Sequence, residues 1–184
     1  MGDRTELRLS GTGGQGLILA GIIMADAAIR DGKNSIQSQS YGPEARGGAS
    51  RAEVIIGDEE IDYPKVTNPN VLLVMSQEAC DKFASDLASG GVIIADSTYV
   101  QELPAVDGQI YKLPISQTAR EEVGREMVAN VVALGAVARI TGVVSRAALT
   151  EALMARIPRG TEEINRKALE LGWQLAEQGS TGVL

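Results

Sequence analysis

Two glycine-bearing segments carry the residue types from which a ligand site could be built. The first, Gly11-Thr-Gly-Gly-Gln-Gly16, sets Gly11, Gly13 and Gly16 in a G-x-G-x-x-G pattern, with Gly14 and Gln15 inside it. A short apolar run precedes it and a longer one follows, which predicts a strand, a turn and a helix. In that setting the glycines permit a tight turn and close approach of a ligand to the backbone. The free N–H groups at the helix start favour an anion such as a phosphate. The same glycines would also serve simply to let the helix pack close to the sheet. A dinucleotide site needs one further part, an Asp or Glu about 20 residues on, for the ribose hydroxyls. The second strand ends in Gln37-Ser-Gln-Ser40 and offers no acid there, while Asp31 precedes that strand. The anion-binding half of the pattern is present and the ribose-binding half is missing.

The second segment, Tyr41-Gly-Pro-Glu-Ala-Arg-Gly-Gly48, is a loop by its Gly and Pro content. In an α/β sheet it belongs beside the glycine loop, at the carboxyl edge of the strands. Arg46 could clamp a phosphate or carboxylate in bidentate fashion. Gly47 and Gly48 would allow close approach by a ligand or another chain, with Tyr41, Gly42 and Glu44 at the rim. Equally, Glu44 and Arg46 could pair with each other in a solvated turn. Four other positions invite two readings each. Cys80 is a reactive thiol at a helix start or a small buried hydrophobe. Asp96, at the end of an apolar strand, contacts a ligand or caps a turn. Asn130 makes a buried polar contact across an interface or lies exposed. Trp173, four residues after Leu169, packs into the core or faces a partner.

The elements that must position these residues follow from periodicity. Residues 7–10 read as a first strand and 17–29 as a helix buried on more than one face. Residues 34–40 form a polar second strand. Residues 50–56 form a third, with Gly57-Asp58 as a turn into a further strand at 60–63. Residues 71–75 and 92–95 are continuous apolar runs, as in strands buried on both faces, and 109–113 is shorter. Helical spacing covers 77–87, 117–140, 146–157 and a last helix to about 178, with Ser145 and Thr161 as N-caps. Val128, Val131, Val132, Gly135 and Ala136 make a small-residue face. The order predicts an α/β fold: a single-domain, Rossmann-like three-layer sandwich with a mostly parallel sheet flanked by helices, begun by a right-handed βαβ unit.

Composition removes whole classes of chemistry. The chain has 184 residues, one cysteine and no histidine. Four-cysteine zinc and iron–sulfur sites are excluded, as are histidine-ligated metals, Ser-His-Asp triads and Cys-His dyads. One tryptophan, four tyrosines and one phenylalanine leave little for base stacking, and a net charge of −7 argues against nucleic acid and anionic membranes. The charged start and the interruption of the apolar stretch 17–25 by Gly21 predict no signal peptide and no span, which needs about 20 apolar residues. A cytoplasmic protein is expected.

The strings Gly11–Gly16 and Gln39-Ser-Tyr-Gly-Pro-Glu-Ala-Arg-Gly-Gly-Ala-Ser-Arg-Ala-Glu53 resemble the gamma subunit of 2-oxoacid:ferredoxin oxidoreductases. So do Asp62-Tyr-Pro64, Asn68-Pro-Asn70, Ser76-Gln-Glu-Ala79, Asn130-Val-Val-Ala-Leu-Gly135 and Ile164-Asn-Arg-Lys-Ala168. The likeness runs in order along residues 1–184 as one module, and is strongest to the 2-oxoglutarate type, although the pyruvate, branched-chain and indolepyruvate relatives share the motifs. It implies a complex that oxidatively decarboxylates a 2-oxoacid onto coenzyme A and reduces ferredoxin. Thiamine diphosphate and iron–sulfur clusters would sit on alpha, beta and delta partner subunits. It implies no catalytic residue and no metal here, but a surface near where coenzyme A reaches the active centre. Gly11, Gly13, Gly14, Gln15, Gly16, Tyr41, Gly42, Glu44, Arg46, Gly47 and Gly48 would meet coenzyme A, another anion or a partner. Without its partners the chain could self-pair into a homodimer through a sheet edge or the small-residue face. Two alternatives are a free-standing anion- or coenzyme-A-binding module and a small NAD(P)-dependent oxidoreductase. The second would lack a Tyr-x-x-x-Lys pair, since Tyr41 is followed four on by Ala45 and Tyr99 by Leu103.

Overall fold

A computed structural model describes residues 4–40 and 48–179. Their strands are β1 (Thr5–Thr12), β2 (Asn34–Ser40), β3 (Ala49–Gly57), β4 (Val71–Val74), β5 (Gly91–Asp96) and β6 (Gly108–Leu113). They form one sheet in the order β2-β3-β1-β4-β5-β6. From β1 through β4 and β5 to β6 every pairing is parallel, whereas β3 is antiparallel to both of its neighbours, β1 and β2. The helices are α1 (Leu17–Arg30), α2 (Gln77–Phe83), α3 (Ile115–Thr118), α4 (Ala129–Thr141), α5 (Arg146–Met154) and α6 (Glu162–Gln178).

The α/β architecture with a mostly parallel sheet is as expected, with layers of unequal thickness. Strand alternation sends Leu7, Leu9, Val54, Ile56, Leu73 and Ile94 to one face, under α1, α4, α5 and α6. The other face turns Leu72, Val74, Ile93 and Ala95 toward α2, where Cys80 and Phe83 cover them. On that thinner side Arg8, from the middle of β1, is buried. It is held by Glu53 at 2.9 Å, Asp86 at 2.5 Å and the carbonyl of Val66 at 3.0 Å.

Five expectations are corrected or refined. Residues 60–63 form no strand, because β1 and β2 already occupy both edges of β3. β1 and β2 run in the same direction but are not neighbours, so the opening βαβ unit straddles β3. The helix expected over 117–140 is interrupted: α3 continues as a π-helical turn, Ala119–Val123, and Gly124 turns left-handed at φ 84. A 3₁₀ turn, Glu126–Val128, then leads into α4. Likewise α2 ends at Phe83 and passes into a 3₁₀ turn, Ala84–Asp86. At the expected N-caps, Ser145 accepts from the N–H of Ala148 at 3.1 Å, but Thr161 donates to the Pro158 carbonyl at 2.7 Å and caps nothing.

The small-residue face of α4 is spent inside the chain, where α4 lies against α6. A Cβ on Gly172 would fall 1.9 Å from the Val132 carbonyl oxygen, and one on Gly135 would fall 2.4 Å from that of Leu169. A dimer through this face is thereby ruled out by the chain's own packing. No helix among the described residues is long and apolar enough to cross a membrane.

Candidate functional site

Gly11 is the last buried residue of β1, and the turn begins at Thr12. The N–H of Gln15 reaches the Thr12 carbonyl at 3.3 Å, with Gly14 at φ 90 in the third position and Gly13 at negative φ. That is type II turn geometry, which asks for glycine where Gly14 stands. Gly16, at φ 73, is the N-cap of α1 and offers no side chain to it. The first-turn N–H groups of α1 therefore have no carbonyl within the helix. No atom of the described residues lies within 4 Å of the positions a Cβ would take on Gly13 or Gly14, so among those residues the crest of the loop is open.

Gln15 braces the loop from within. Its carbonyl oxygen accepts from the N–H of Thr12 at 2.7 Å, and its amide nitrogen donates to the Met75 carbonyl at 3.1 Å. A Cβ on Gly11 would sit 2.1 Å from that same Gln15 oxygen, so Gly11 makes the room into which Gln15 folds. Both ends of the Gln15 amide are thus engaged inside the chain. Sequence reasoning assigned it to a ligand or partner instead.

The described end of the second segment lies at the glycine loop. Ser50 pairs with Gly11 and Ala49 with Thr12, so the segment after β2 re-enters the sheet directly beside the glycine loop. Gly48 is the described end of that segment and is partly buried. Tyr41, Gly42, Glu44, Arg46 and Gly47 lie outside the described residues. The same hairpin weakens the dinucleotide reading. With β3 between them, the carboxyl end of β2 stands about 10 Å from β1, two strand spacings instead of one.

Asn130 is a further partner of this loop, and the one that spacing alone undervalued. It is 6% exposed, and its amide nitrogen donates to the Gly16 carbonyl at 3.1 Å. Its contact is internal, joining α4 to the glycine loop. The visible signal was a lone amide among Val and Ala in a helix, a polar group that needs a partner once buried.

Beside the loop is an open cleft of about 430 Å³, lined by Thr12, Gln15, Met75, Ser76, Gln77, Tyr99 and Glu126. The Tyr99 hydroxyl donates to the Glu126 carboxylate, which Arg120 also approaches at 3.3 Å. That hydrogen bond to Glu126, followed by desolvation, pushes the Tyr99 phenol up from its ordinary value. Ser76 caps α2 through the N–H of Ala79 at 3.2 Å, and Gln77 accepts from the N–H groups of Gln101 and Glu102. Asp96 is fully buried and accepts from the N–H groups of Thr98 and Ser116, the turn-capping reading. Cys80 is buried, with its thiol directed at the Glu102 carbonyl, and burial, then Asp81, raises its pKa. This is the opposite of an activated nucleophile. Trp173 packs partly buried against the larger core, with the Arg146 guanidinium 5.1 Å from its ring centre.

The same overall fold is found in a solved structure. The model of the pyruvate ferredoxin/flavodoxin oxidoreductase family matches residues 6–175. The chain therefore belongs to that family, and within it stands with the gamma subunits of 2-oxoacid:ferredoxin oxidoreductases. It is 48% identical over 178 residues to the 2-oxoglutarate synthase subunit KorC of Methanocaldococcus jannaschii, covering 95% of each chain. It superposes with a TM-score of 0.87, at 52% identity, on the keto/oxoacid ferredoxin oxidoreductase gamma subunit of Geobacter sulfurreducens, over 95% of this chain and 99% of that one. The pyruvate synthase subunit PorC of Methanothermobacter marburgensis is more distant, at 33% identity over 175 residues, 92% of this chain and 96% of that one.

Proposed function

We propose that this chain is the gamma subunit of a cytoplasmic complex that oxidatively decarboxylates 2-oxoglutarate onto coenzyme A and passes the electrons to ferredoxin. The observation that carries this is full-length similarity at 48% identity to a 2-oxoglutarate synthase subunit, against 33% to a pyruvate synthase subunit. The chain is one module over residues 1–184, and its partners are alpha-, beta- and delta-type subunits. Those partners hold the thiamine diphosphate and the iron–sulfur clusters. A four-thiolate cluster does not fit this chain, whose one cysteine is buried on the inner face of α2. No group of three or more His, Cys, Asp or Glu that could hold a metal occurs among the described residues. What this chain supplies is a glycine-lined edge. The open crest at Gly13 and Gly14 and the unpaired N–H groups at the start of α1 suit a polar, anionic group of coenzyme A. Arg46, in the adjoining segment, would meet an anion or a partner's carboxylate.

The test is to co-express the tagged chain with its genomic neighbours under anaerobic conditions and assay ferredoxin reduction by the purified complex. Reduction that requires coenzyme A and proceeds at least tenfold faster with 2-oxoglutarate than with pyruvate supports the reading. Preference for pyruvate or a branched-chain 2-oxoacid overturns the substrate. Purification of the chain without thiamine- and cluster-bearing partners overturns the subunit role.

A further inference from the structure

We infer that Gln15 is a positioning residue for coenzyme A binding: its side-chain amide wedges apart the carboxyl ends of β1 and β4 and sets the width of the cleft beside the glycine turn. This rests on the glycine-edge reading above and adds which residue gives that edge its shape. β1 and β4 are parallel neighbours, and Ser10 with Val74 is their last register pair. The N–H of Met75 still reaches the Ser10 carbonyl at 2.9 Å. In a parallel ladder the next rung would run from the Thr12 N–H to the Met75 carbonyl. The Gln15 amide stands between those two groups instead. It accepts from Thr12 at 2.7 Å and donates to Met75 at 3.1 Å. The rung is thus widened by one amide, and neither backbone group is left unpaired. Gly11 belongs to the same device, since a Cβ there would fall 2.1 Å from the Gln15 oxygen and drive the amide out.

The widening falls where the chain diverges. The connection after β1 enters α1 on one face of the sheet, and the connection after β4 enters α2 on the other. Open α/β sheets take ligands in the crevice at such a point, outside the carboxyl ends of the strands. Here that crevice is the cleft of about 430 Å³, with Thr12 and Gln15 on the β1 side and Met75, Ser76 and Gln77 on the β4 side. Gln15 also holds both backbone groups of Thr12, from which the Gly13-Gly14 turn springs: its side chain takes the N–H, and its own N–H reaches the carbonyl at 3.3 Å. Without the amide, the Thr12 N–H and the Met75 carbonyl either bond each other directly and narrow the cleft, or stay unpaired at a desolvation cost. In both cases the crest shifts relative to α2. Coenzyme A should feel that shift, whereas a 2-oxoacid held by the partner subunits should not.

The experiment compares wild type with Gln15→Met and Gly13→Asp, each co-expressed with the partner subunits and assayed for ferredoxin reduction. Gln15→Met keeps the length of the side chain, adds no charge and removes both hydrogen bonds. Gly13→Asp sets a negative charge on the crest and tests the glycine-edge reading directly. The expected result is a KM for coenzyme A raised about tenfold by each variant, with kcat and the KM for 2-oxoglutarate close to wild type. A raised KM in Gly13→Asp with an unchanged one in Gln15→Met overturns the inference and leaves the glycine-edge reading intact. An unchanged KM in both overturns the two together. A loss of active complex or of kcat in Gln15→Met, with both KM values unmoved, assigns Gln15 to stability alone and also overturns the inference. Should Gln15→Met fail to assemble, Gln15→Asn, one methylene too short to span both bonds, is read in the same way.

Discussion

The contact between Gly16 and Asn130 can be tested by a double-mutant cycle whose sign is fixed by geometry. Gly16 stands at φ 73, and an alanine in the left-handed region costs about 1–2 kcal/mol. Its Cβ would also fall 2.6 Å from the Asn130 amide nitrogen, closer than such atoms approach, so the Asn130 side chain must leave. That breaks its 3.1 Å hydrogen bond to the Gly16 carbonyl, worth about 1 kcal/mol net. Gly16→Ala should therefore cost about 2–3 kcal/mol. Asn130→Ala loses the same hydrogen bond. The Gly16 carbonyl keeps its helical partner, the N–H of Ala20 at 3.1 Å, so this cost stays near 1 kcal/mol. In the double variant the hydrogen bond is lost only once and nothing obstructs the new methyl. The pair should thus cost about 1 kcal/mol less than the sum of the singles, roughly 2–4 °C in Tm for a chain of this size. Urea unfolding followed by circular dichroism measures all four corners. Additivity within about 0.5 kcal/mol would refute the claim that α4 anchors the glycine loop through this contact.

Other perturbations probe the scaffold around the site. Gly172→Ala drives a methyl to 1.9 Å from the Val132 carbonyl oxygen, and backbone cannot swing aside, so a cost at the upper end of overpacking, about 3 kcal/mol, is expected by denaturant unfolding. Gly14→Ala meets no atom of the described residues within 4 Å and should cost only its φ penalty, about 1–2 kcal/mol. Arg8→Ala removes the cation between Glu53 and Asp86 on the thin face and should destabilise by about 3 kcal/mol, at the low end for a broken buried pair because Asp86 remains solvated. The raised pKa of Cys80 means that folding favours the protonated thiol. Its contribution is complete below the ordinary thiol range and falls away as pH rises through the elevated folded value. A thiol reagent at pH 8 should therefore label native protein at least tenfold more slowly than urea-unfolded protein. Equal rates would contradict the burial.

What could be read from the sequence follows from the range of the forces involved. The apolar runs of β4 and β5 and the glycine turn before α1 are local, and they were legible because side-chain period and left-handed backbone are written residue by residue. The insertion of β3 between β1 and β2 was not, since strand order depends on which edges find partners; with both edges of β3 filled, the apparent hairpin at Gly57-Asp58 had nothing to pair with. The break at Gly124 was hidden inside a run with helical spacing, because one glycine in such a run is ordinarily tolerated. Gln15 and Asn130 show the same limit at the site. Their types announced hydrogen bonding, but the acceptors, Met75 and Gly16, stand 60 and 114 positions away. A polar side chain near a glycine loop is as well suited to holding the loop's shape as to touching what the loop binds, and here these two hold the shape. The crest at Gly13 and Gly14 therefore owes its shape to residues that need not touch a ligand, and a change at either one should be felt there.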